Sequence, residues 1–316
     1  MDILINSRAE GTHRGAVIAL GNFDGVHLGH QGVLRFARGH AQRLEAPFAA
    51  AVFEPHPRQF FAPQAPPFRL QSSSQRLRAL ADQQADLAFE IGFDRQLASQ
   101  SSAEFAQRVL HERFGARLVI VGGDFRFGAG RSGDVAALRA LGTELGFEVL
   151  TAPVLADAGE KISSSNIRAA LVRGQMQQAR HWLGRPWSIE GQVQAGAQRG
   201  RLLGFPTANV ALGEYLRPAF GVYAVLIRIG GGKAWPGVAN LGQKPTLGAE
   251  IAPLLEAHIF DFSGDIYDAP IEVQLLAHLR EERRFDSLDA LKAQIARDAQ
   301  MARALLAAPG LEKSAQ

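Results

Sequence analysis

The chain has 316 residues, enough for about two domains at roughly 150 residues each. Its 47% hydrophobic and 21% charged residues exclude a disordered, collagen-like or coiled-coil protein. The absence of cysteine excludes disulfides, thiolate metal sites and a cysteine nucleophile, and the net charge of +3 argues against binding of nucleic acid through a strong basic field. There is no signal-peptide pattern and no run of about 20 apolar residues, so we expect a cytoplasmic protein with no membrane or nucleic-acid partner.

The first half of the chain alternates short apolar runs with helical patterns, which predicts a parallel, doubly wound α/β sheet. The strand-like runs are Val17–Leu20, Phe48–Phe53, Leu87–Phe93, Leu118–Val121 and Phe147–Leu150. The helical patterns between them are Gln31–Leu44, Ser74–Ala81, Ser102–Phe114 and Val135–Leu145. Ligands of such sheets bind beyond the carboxyl ends of the strands, so we expect the chemistry in the loops that follow the strands.

The pattern changes near Gly184, and the chain beyond it predicts an antiparallel β-barrel with a carboxyl-terminal helix. Its strand-like runs are Ile189–Gln194, Val222–Arg228, Trp235–Asn240, Leu255–Phe260 and Ile271–Leu279. We therefore predict domains at residues 1–184 and 185–316. The final helix is expected from about Ser287, with Asp286 or Ser287 as its N-cap. Its predicted apolar face consists of Leu288, Leu291, Ile295, Ala302 and Leu305.

The most informative segment of the first half, LGNFDGVHLGH, follows a strand and begins a helix. Its glycines let the backbone approach a ligand closely, and the start of a helix offers unpaired N–H groups that suit phosphate. His27 and His30 are three residues apart and can face the same ligand. On spacing alone, phosphate binding, a capped turn with two surface histidines and half of a metal site all remain open.

This segment resembles the nucleotidyltransferase signature of the HxGH type. In that superfamily the two histidines stabilise the α-phosphate while it is attacked, and no covalent enzyme intermediate forms. The resemblance implies that His27 and His30 are catalytic. The ATP-binding residues that it implies in the same loop are Gly21, Phe23, Gly25 and Gly29.

A second segment, KISSSNIR, places hydroxyl groups at the start of a helix and Arg168 one turn further on. Such a segment can hold pyrophosphate or simply cap the helix. It resembles the Ile-Ser-Ser-Thr-x-Ile-Arg motif of the same enzymes, with Ser165 in place of the threonine. The resemblance implies that Ser163 and Ser164 bind ATP and that Arg168 takes part in catalysis. Ser165 keeps the hydroxyl and loses only a methyl group, so we expect little damage.

Two more strands of the first half end in loops that look like those of bacterial flavin adenylyltransferases. His56 and Pro57 follow one strand, and Asp124 and Phe125 follow another. The resemblance implies that these four residues bind the flavin. The sequence GAGRSG at 128–133 matches a dinucleotide fingerprint, but six residues separate it from the preceding strand, and we do not expect NAD there.

The second half contains the glycine-rich stretch GRLLGFPTAN. Glycine and arginine suit a loop over phosphates. Thr207 and Asn209 would share one face of a strand and offer neutral oxygens to a hard cation such as Mg²⁺. On spacing alone, an ordinary barrel turn is favoured over this binding role.

The same stretch resembles the signature of riboflavin kinases, and the segments around it match that family too. The resemblance implies that Glu256 is the catalytic base and that Thr207 and Asn209 contact Mg²⁺ and ATP. The further ATP contacts that it implies are Gly200, Arg201, Gly204 and Tyr267. The flavin contacts that it implies are Arg280, Arg283 and Phe285. Asp268 stands where the family usually has glycine, which puts the geometry of that turn in question.

Over nearly its whole length the chain is similar to bacterial bifunctional riboflavin kinases/FAD synthetases. The resemblance implies that the carboxyl half phosphorylates riboflavin to FMN with ATP. It implies that the amino half transfers AMP from ATP to FMN, giving FAD and pyrophosphate, and that both reactions use Mg²⁺. Two alternatives stay open: a chain that retains one activity only, and a non-catalytic regulator that binds flavin or nucleotide. The sequence does not indicate an oligomeric state.

Overall fold

The computed structural model describes residues 1–157, 159–194, 207–243 and 253–308, which form two compact units. The first unit contains Met1–Ala65 and Ser73–Ile162. The second contains Pro66–Ser72 and the chain from Ser163 onwards. Every helix within the described ranges is too short or too polar to cross a membrane.

A parallel sheet forms the centre of the first unit. Its strands in the described residues are β1 (Asp2–Ile5), β2 (Val17–Leu20), β3 (Phe48–Glu54), β4 (Leu87–Gly92), β5 (Leu118–Val121) and β6 (Glu148–Thr151). They lie in the order β1-β4-β3-β2-β5-β6, and each neighbouring pair is parallel. The order reverses between β2 and β5, which makes their carboxyl ends the topological switch point where α/β sheets bind ligands.

Helices connect these strands. They are α1 (Leu28–Arg43), α2 (Pro57–Phe61), α3 (Ser73–Asp82), α4 (Arg95–Ala98), α5 (Ser102–Phe105) and α6 (Val135–Leu145). Helix α5 continues directly into a π-helical segment, Ala106–Arg113, and short 3₁₀ turns occur at Gly11–His13 and Ala129–Arg131. A small hairpin of β7 (Ala156–Asp157) and β8 (Glu160–Lys161) follows β6.

Successive residues of the central strands pack on opposite faces of the sheet. In β2, Val17 and Ala19 join a core cluster that includes Leu34 of α1. Ile18 and Leu20 join the cluster on the other face, with the helical segment that contains Phe105. Both faces are covered by helices, which explains the continuous apolar runs of these strands and confirms the doubly wound prediction.

Two details of the first unit differ from the predictions. Strand β1 has no predicted counterpart, because it lies at the sheet edge and exposes Ile3 (46%) and Ile5 (58%). The predicted single helix Ser102–Phe114 is an α-helical turn followed by a π-helix. Its buried residues are accordingly spaced at four and five residues, as Phe105, Val109, Leu110 and Phe114.

The second unit combines two helices, an antiparallel barrel and a final helix. Its elements in the described residues are α7 (Ser164–Val172), α8 (Met176–Leu183), β9 (Trp187–Gln192), β10 (Ala208–Ala211), β11 (Gly221–Ile229), β12 (Ala234–Gln243), β13 (Pro253–Ile259), β14 (Pro270–Arg280) and α9 (Leu288–Leu306). The strands lie in the order β10-β13-β12-β11-β14-β9. A bridge between Gln194 and Asn209 (N to O 2.8 Å) joins the two ends and nearly closes the barrel, as predicted.

A short piece of the first half, Pro66–Ser72, belongs to this second unit. Arg69 forms backbone hydrogen bonds with Glu214 (3.2 Å) and Leu216 (2.8 Å). The indole N–H of the buried Trp187 donates to the carbonyl of Leu70 (2.7 Å). The predicted domains, residues 1–184 and 185–316, stay a prediction.

Helix α9 begins where the sequence predicted. Ser287 is its N-cap, and its Oγ accepts a hydrogen bond from the N–H of Ala290 (3.1 Å). The bond satisfies one of the N–H groups that a helix start leaves without an intrahelical partner.

The apolar face predicted for α9 is buried only in part. Leu288 (67%) and Leu305 (40%) are exposed, whereas Leu291 and Ile295 are half-buried and Ala302 is buried. The buried side of the helix instead consists of Gln294, Asp298, Ala302 and Leu306. Two of these residues are polar and hydrogen-bond to Arg280 at the end of β14 and to Arg283 in the loop after it, so apolar spacing did not identify them.

Substitutions on the two sides of α9 should separate these alternatives. We expect Leu288→Ser to leave the free energy of unfolding unchanged within about 0.5 kcal/mol, because its side chain faces solvent. We expect Leu306→Ala to lower it by about 2–5 kcal/mol, because Leu306 lies only on the observed buried side, is 6% exposed and would leave a cavity in the barrel core. Urea unfolding of both variants measures this, and the reverse order would restore the predicted face.

Candidate active sites

The loop between β2 and α1 brings the two predicted histidines together. His27 is the N-cap of α1, and its Nδ1 accepts a hydrogen bond from the backbone N–H of His30 (3.2 Å). The two imidazole rings stack with centroids 3.6 Å apart and 20° between their planes. Because a backbone N–H can only donate, the ring proton of a neutral His27 lies on Nε2, where it can donate to a phosphate oxygen. The pair stands at the positive end of a 16-residue helix dipole.

The same loop stores backbone strain. Phe23 (φ +48°), Gly25 (+91°) and Val26 (+37°) all lie in the left-handed region, which costs of order 1–3 kcal/mol for a β-branched residue such as valine. Gly29 is required for a close approach, since a Cβ there would lie 2.9 Å from the carbonyl oxygen of Ile162 and 3.0 Å from Cε1 of His27. The loop is therefore held in one shape by its surroundings, as a pre-organised binding loop must be.

The predicted flavin residues lie in loops at the same edge of the sheet. His56 and Pro57 follow β3, where Nδ1 of the buried His56 accepts a hydrogen bond from the N–H of Arg58 (3.1 Å) and caps α2. Asp124 and Phe125 follow β5, the strand beside β2. Since the carboxyl ends of parallel strands meet at one edge, the fold brings these loops to the switch point that the histidines also occupy.

Asp124 forms an ion pair with Lys161, with 2.6 Å between Oδ2 and Nζ. The hydrogen bond from Lys161 holds the pKa of the Asp124 carboxyl below its ordinary value. Both side chains are largely exposed, so the pair adds little to stability. It does fix where this carboxylate stands beside Phe125.

One residue that sequence reasoning missed ties this edge together. Arg76 of α3 is 0% exposed. Its Nη1 donates to the carbonyls of Asn22 (3.3 Å) and Phe53 (3.1 Å), and its Nη2 contacts Oε2 of Glu54 (2.7 Å). The guanidinium thus joins the start of the histidine loop to the end of β3. An available signal was its position four residues before the buried Leu80, on the apolar face of α3.

The predicted pyrophosphate segment starts α7 in the second unit. Ser163 is the N-cap, with its Oγ accepting from the N–H of Asn166 (3.2 Å), and Ser164 is the first helical residue. Arg168 donates from Nε to the carbonyl of Phe68 (2.8 Å), and its guanidinium lies 5.3 Å from the centroid of that ring. Ser165 is exposed, and the small effect expected from its missing methyl group stays a prediction.

In the barrel, three neighbouring strands align the residues predicted for phosphate transfer. Asn209 of β10 lies directly opposite Glu256 of β13, and Glu256 lies directly opposite Asn240 of β12. Directly opposite residues project from the same face of a sheet, with Cβ atoms about 4.5–5.5 Å apart. We name Asn209, Glu256 and Asn240 the cross-strand row. Sequence reasoning missed Asn240, since nothing along the chain shows which strands are neighbours.

Asn209 is the buried end of the cross-strand row. It is 6% exposed, and its Oδ1 has no hydrogen-bond partner among the described residues. An orphan carbonyl oxygen of this kind is a suitable ligand for a hard cation. Thr207 precedes it on the chain and is half-buried.

Asp268 can adopt the backbone conformation of the turn in which the family pattern has glycine. Asp268 adopts φ +58°, a conformation that glycine takes freely and that aspartate tolerates better than most residues. The turn is further held by Oδ1 of Asp265, which accepts from the N–H of Tyr267 (3.0 Å). Tyr267 is 47% exposed, so its ring is accessible to a ligand.

The predicted flavin residues of the second half lie at the end of β14 and in the loop after it. The Phe285 ring has the guanidinium of Arg280 at 5.9 Å and that of Arg283 at 4.9 Å from its centroid. The fold therefore brings all three residues together. Gly200, Arg201 and Gly204 lie outside the described residues.

Comparison with known proteins places family matches on both halves. A family model described as FAD synthetase matches residues 9–166, and one described as riboflavin kinase matches residues 183–306. A protein of Pseudomonas fluorescens named bifunctional riboflavin kinase/FMN adenylyltransferase is 43% identical over 304 residues, or 96% of each chain. A protein of the same name from Escherichia coli K12 is 40% identical over 299 residues, or 95% of each chain.

A similar solved structure spans both halves as well. It is a crystal structure from Streptococcus pneumoniae described as a macrolide-efflux protein. It has 30% sequence identity and a TM-score of 0.84, and the match covers 96% of the present chain and 99% of the other.

Removing the guanidinium of Arg76 should destabilise the first unit. We expect Arg76→Met to lower the free energy of unfolding by about 3–5 kcal/mol, because it leaves the carboxylate of Glu54 without its buried partner. The matched control is Arg78→Met on the same helix, where the side chain is exposed and the change should be below about 0.5 kcal/mol. Equal effects in urea unfolding would contradict the role given to Arg76.

The ion pair of Asp124 makes a prediction about pH. Lys161→Met removes the hydrogen bond that lowers the pKa of Asp124, so this pKa should rise towards its ordinary value. In the unaltered protein the carboxylate stays charged to lower pH than a free aspartate, and the ion pair is lost as pH falls through the lowered pKa. Titration of the Asp124 carboxyl carbon by NMR measures both variants, and an unchanged midpoint would contradict the assignment.

Proposed function

We propose which residues carry the two reactions of the bifunctional riboflavin kinase/FMN adenylyltransferase family, to which this chain belongs. The protein is an enzyme of flavin cofactor synthesis: it phosphorylates riboflavin to FMN with ATP, and it transfers AMP from ATP to FMN, giving FAD and pyrophosphate. We also propose that the protein is cytoplasmic, as expected from the sequence.

For adenylyl transfer, the residue assignment rests on the stacked histidine pair at the start of α1. A phosphate oxygen of FMN attacks the α-phosphorus of ATP, the bond to the bridging oxygen breaks, and pyrophosphate leaves. Negative charge builds on the non-bridging oxygens, so donors fixed in advance lower the barrier. His27, through Nε2–H, and His30 supply such donors, and the N–H groups of the first turn of α1 add to them.

The remaining residues of this reaction bind and position substrates. The loop residues Gly21, Phe23, Gly25 and Gly29 cradle the ATP phosphates in a shape set before binding. The phosphates that leave as pyrophosphate are assigned to Ser163, Ser164 and Arg168, since the start of a helix and a guanidinium both donate hydrogen bonds to anions. The flavin-binding residues in this proposal are His56, Pro57, Asp124 and Phe125.

For riboflavin phosphorylation, Glu256 is assigned as the general base. It takes the proton from the primary hydroxyl of the ribityl chain as the hydroxyl oxygen attacks the γ-phosphorus of ATP, and ADP leaves. Support comes from its central place in the cross-strand row, between two amide side chains that can orient its carboxylate. Half-burial leaves one side of Glu256 open to a substrate.

The barrel residues also fit a magnesium ion. The buried Oδ1 of Asn209 lacks a hydrogen-bond partner in the described residues, and the hydroxyl of Thr207 is close in sequence. Both are hard oxygen donors of the kind that Mg²⁺ prefers. When bound, the ion neutralises charge on the ATP phosphates. Further ATP contacts are assigned to Gly200, Arg201, Gly204 and Tyr267, and flavin contacts to Arg280, Arg283 and Phe285.

Two substitutions test whether the reactions use separate residues. Purified protein is incubated with riboflavin, ATP and Mg²⁺, and the flavins are separated by chromatography over time. The unaltered chain should form FMN first and FAD afterwards. His30→Ala should slow FAD formation by at least about 10²-fold while FMN accumulates, because it removes a donor to the transition state. Glu256→Ala should slow FMN formation about 10²–10⁴-fold, because it removes the general base.

Each variant controls for the other. Glu256→Ala supplied directly with FMN should still form FAD at the unaltered rate, and His30→Ala should still form FMN. Loss of both activities in either folded variant, checked by circular dichroism, would contradict separate sites. No flavin product from the unaltered chain would favour the non-catalytic regulator.

A further inference from the structure

Helix α9 buries two polar side chains that the two reactions described above do not use. Gln294 (8% exposed) and Asp298 (3% exposed) stand one turn apart on the side of the helix that faces the barrel. A buried carboxylate is costly unless it is paired and fully hydrogen-bonded. The partners of these two residues therefore indicate why the helix keeps them.

The partners are the arginines assigned to the flavin. Asp298 receives hydrogen bonds from Arg280, with Nε to Oδ1 at 3.0 Å and Nη2 to Oδ2 at 2.7 Å. Gln294 donates from Nε2 to Oδ1 of Asp298 (2.7 Å), and its Oε1 accepts from Nη2 of Arg283. Two arginines, one at the end of β14 and one three residues later in the loop, thus bind to one face of a helix.

This network also sets the surroundings of Phe285. Both guanidiniums lie within 6 Å of the Phe285 ring centroid, at 5.9 Å for Arg280 and 4.9 Å for Arg283. The arginines therefore bind to the helix through their N–H groups while their guanidiniums stay within cation–π range of the aromatic ring. Without Asp298 and Gln294, the side chains of Arg280 and Arg283 would be free to sample other rotamers, and the loop would lose its fixed geometry.

The same end of β14 lies beside the cross-strand row. Arg280 pairs with Val222 of β11, and Val222 lies directly opposite Asn240. Asn240 in turn donates from Nδ2 to Oε1 of Glu282 in the arginine loop (3.5 Å). A displacement of the loop would therefore move the assigned flavin residues and also the contact of Glu282 with the cross-strand row, which contains the assigned base.

We propose that Asp298 and Gln294 are positioning residues for riboflavin in the kinase reaction. They hold Arg280, Arg283 and Phe285 in the arrangement that receives the flavin ring, and they touch neither substrate themselves. The inference rests on the proposed function, in which those three residues contact the flavin. A buried apolar pair would stabilise the helix with no desolvation cost, so the polar pair is kept for geometry.

Steady-state kinetics of Asp298→Asn tests the proposal. The variant keeps the shape of the side chain but removes the charge that binds Arg280 at two points. We expect the KM for riboflavin to rise by about tenfold, which corresponds to about 1.4 kcal/mol of lost binding. The KM for ATP and the rate of FMN adenylylation should stay within about twofold, because the hydrogen-bond partners of Asp298, Arg280 and Gln294, are not among the residues assigned to ATP or to adenylyl transfer.

A second aspartate–arginine pair on the same helix, which is exposed where the first is buried, provides a control for the loss of such a pair from α9. Arg303 binds Asp261 at two points, with Nη1 to Oδ2 at 2.7 Å and Nη2 to Oδ1 at 2.9 Å. Asp261→Asn weakens an aspartate–arginine pair between α9 and the segment after β13, and neither member of this pair contacts Arg280, Arg283 or Phe285 among the hydrogen bonds and ring contacts of the described residues. Its KM for riboflavin should be unchanged. An equal rise in both variants would reduce Asp298 to a structural anchor of α9 and overturn the proposal.

Two more variants separate the possible failures. Gln294→Leu, an apolar replacement that is expected to fold, should also raise the KM for riboflavin. Phe285→Ala tests the flavin assignment by itself. If Phe285→Ala raises this KM while Asp298→Asn and Gln294→Leu do not, the positioning role is wrong and the proposed function stands. If Phe285→Ala has no effect either, the flavin assignment itself is wrong. A loss of FMN adenylylation in Asp298→Asn and Gln294→Leu that matches the rise in KM would also overturn the positioning role, because it would show a general effect on the protein.

Discussion

The first unit depends on one constraint: parallel strands deliver their following loops to a single edge, and those loops must be held there without regular hydrogen bonding. Arg76 meets this constraint with a fully buried guanidinium that binds two backbone carbonyls and the carboxylate of Glu54. The strained turn that leads to His27 begins beside one of these carbonyls. The fully buried guanidinium of Arg76 thus supports the geometry of the histidine pair.

The central elements could be predicted because their burial leaves a direct trace in the sequence. Strand β2 and helix α6 have the predicted bounds, Val17–Leu20 and Val135–Leu145, since both bury apolar residues at the expected period. Strand β1 lacks that trace because its isoleucines are exposed at the sheet edge. The face of α9 was predicted only in part, because burial there follows hydrogen bonding, with Asp298 and Gln294 inside and Leu288 outside.

The candidate site residues divide in the same way. The loop histidines could be found because glycine spacing and the His-x-x-His pattern are local in the chain. Arg76 and Asn240 could not be assigned in this way, because their partners come from strands distant in sequence. Each unit also contains an arginine–carboxylate pair that links the end of a strand to a helix, Arg76 with Glu54 in the first and Arg280 with Asp298 in the second.

The segment Pro66–Ser72 gives the chain an unusual connectivity. Because this segment belongs to the second unit while both of its flanks belong to the first, the polypeptide passes between units at three points, after residues 65, 72 and 162. No single cut can therefore release either unit whole. A fragment that begins at residue 185 would keep Trp187 but lose the Leu70 carbonyl that accepts its indole N–H.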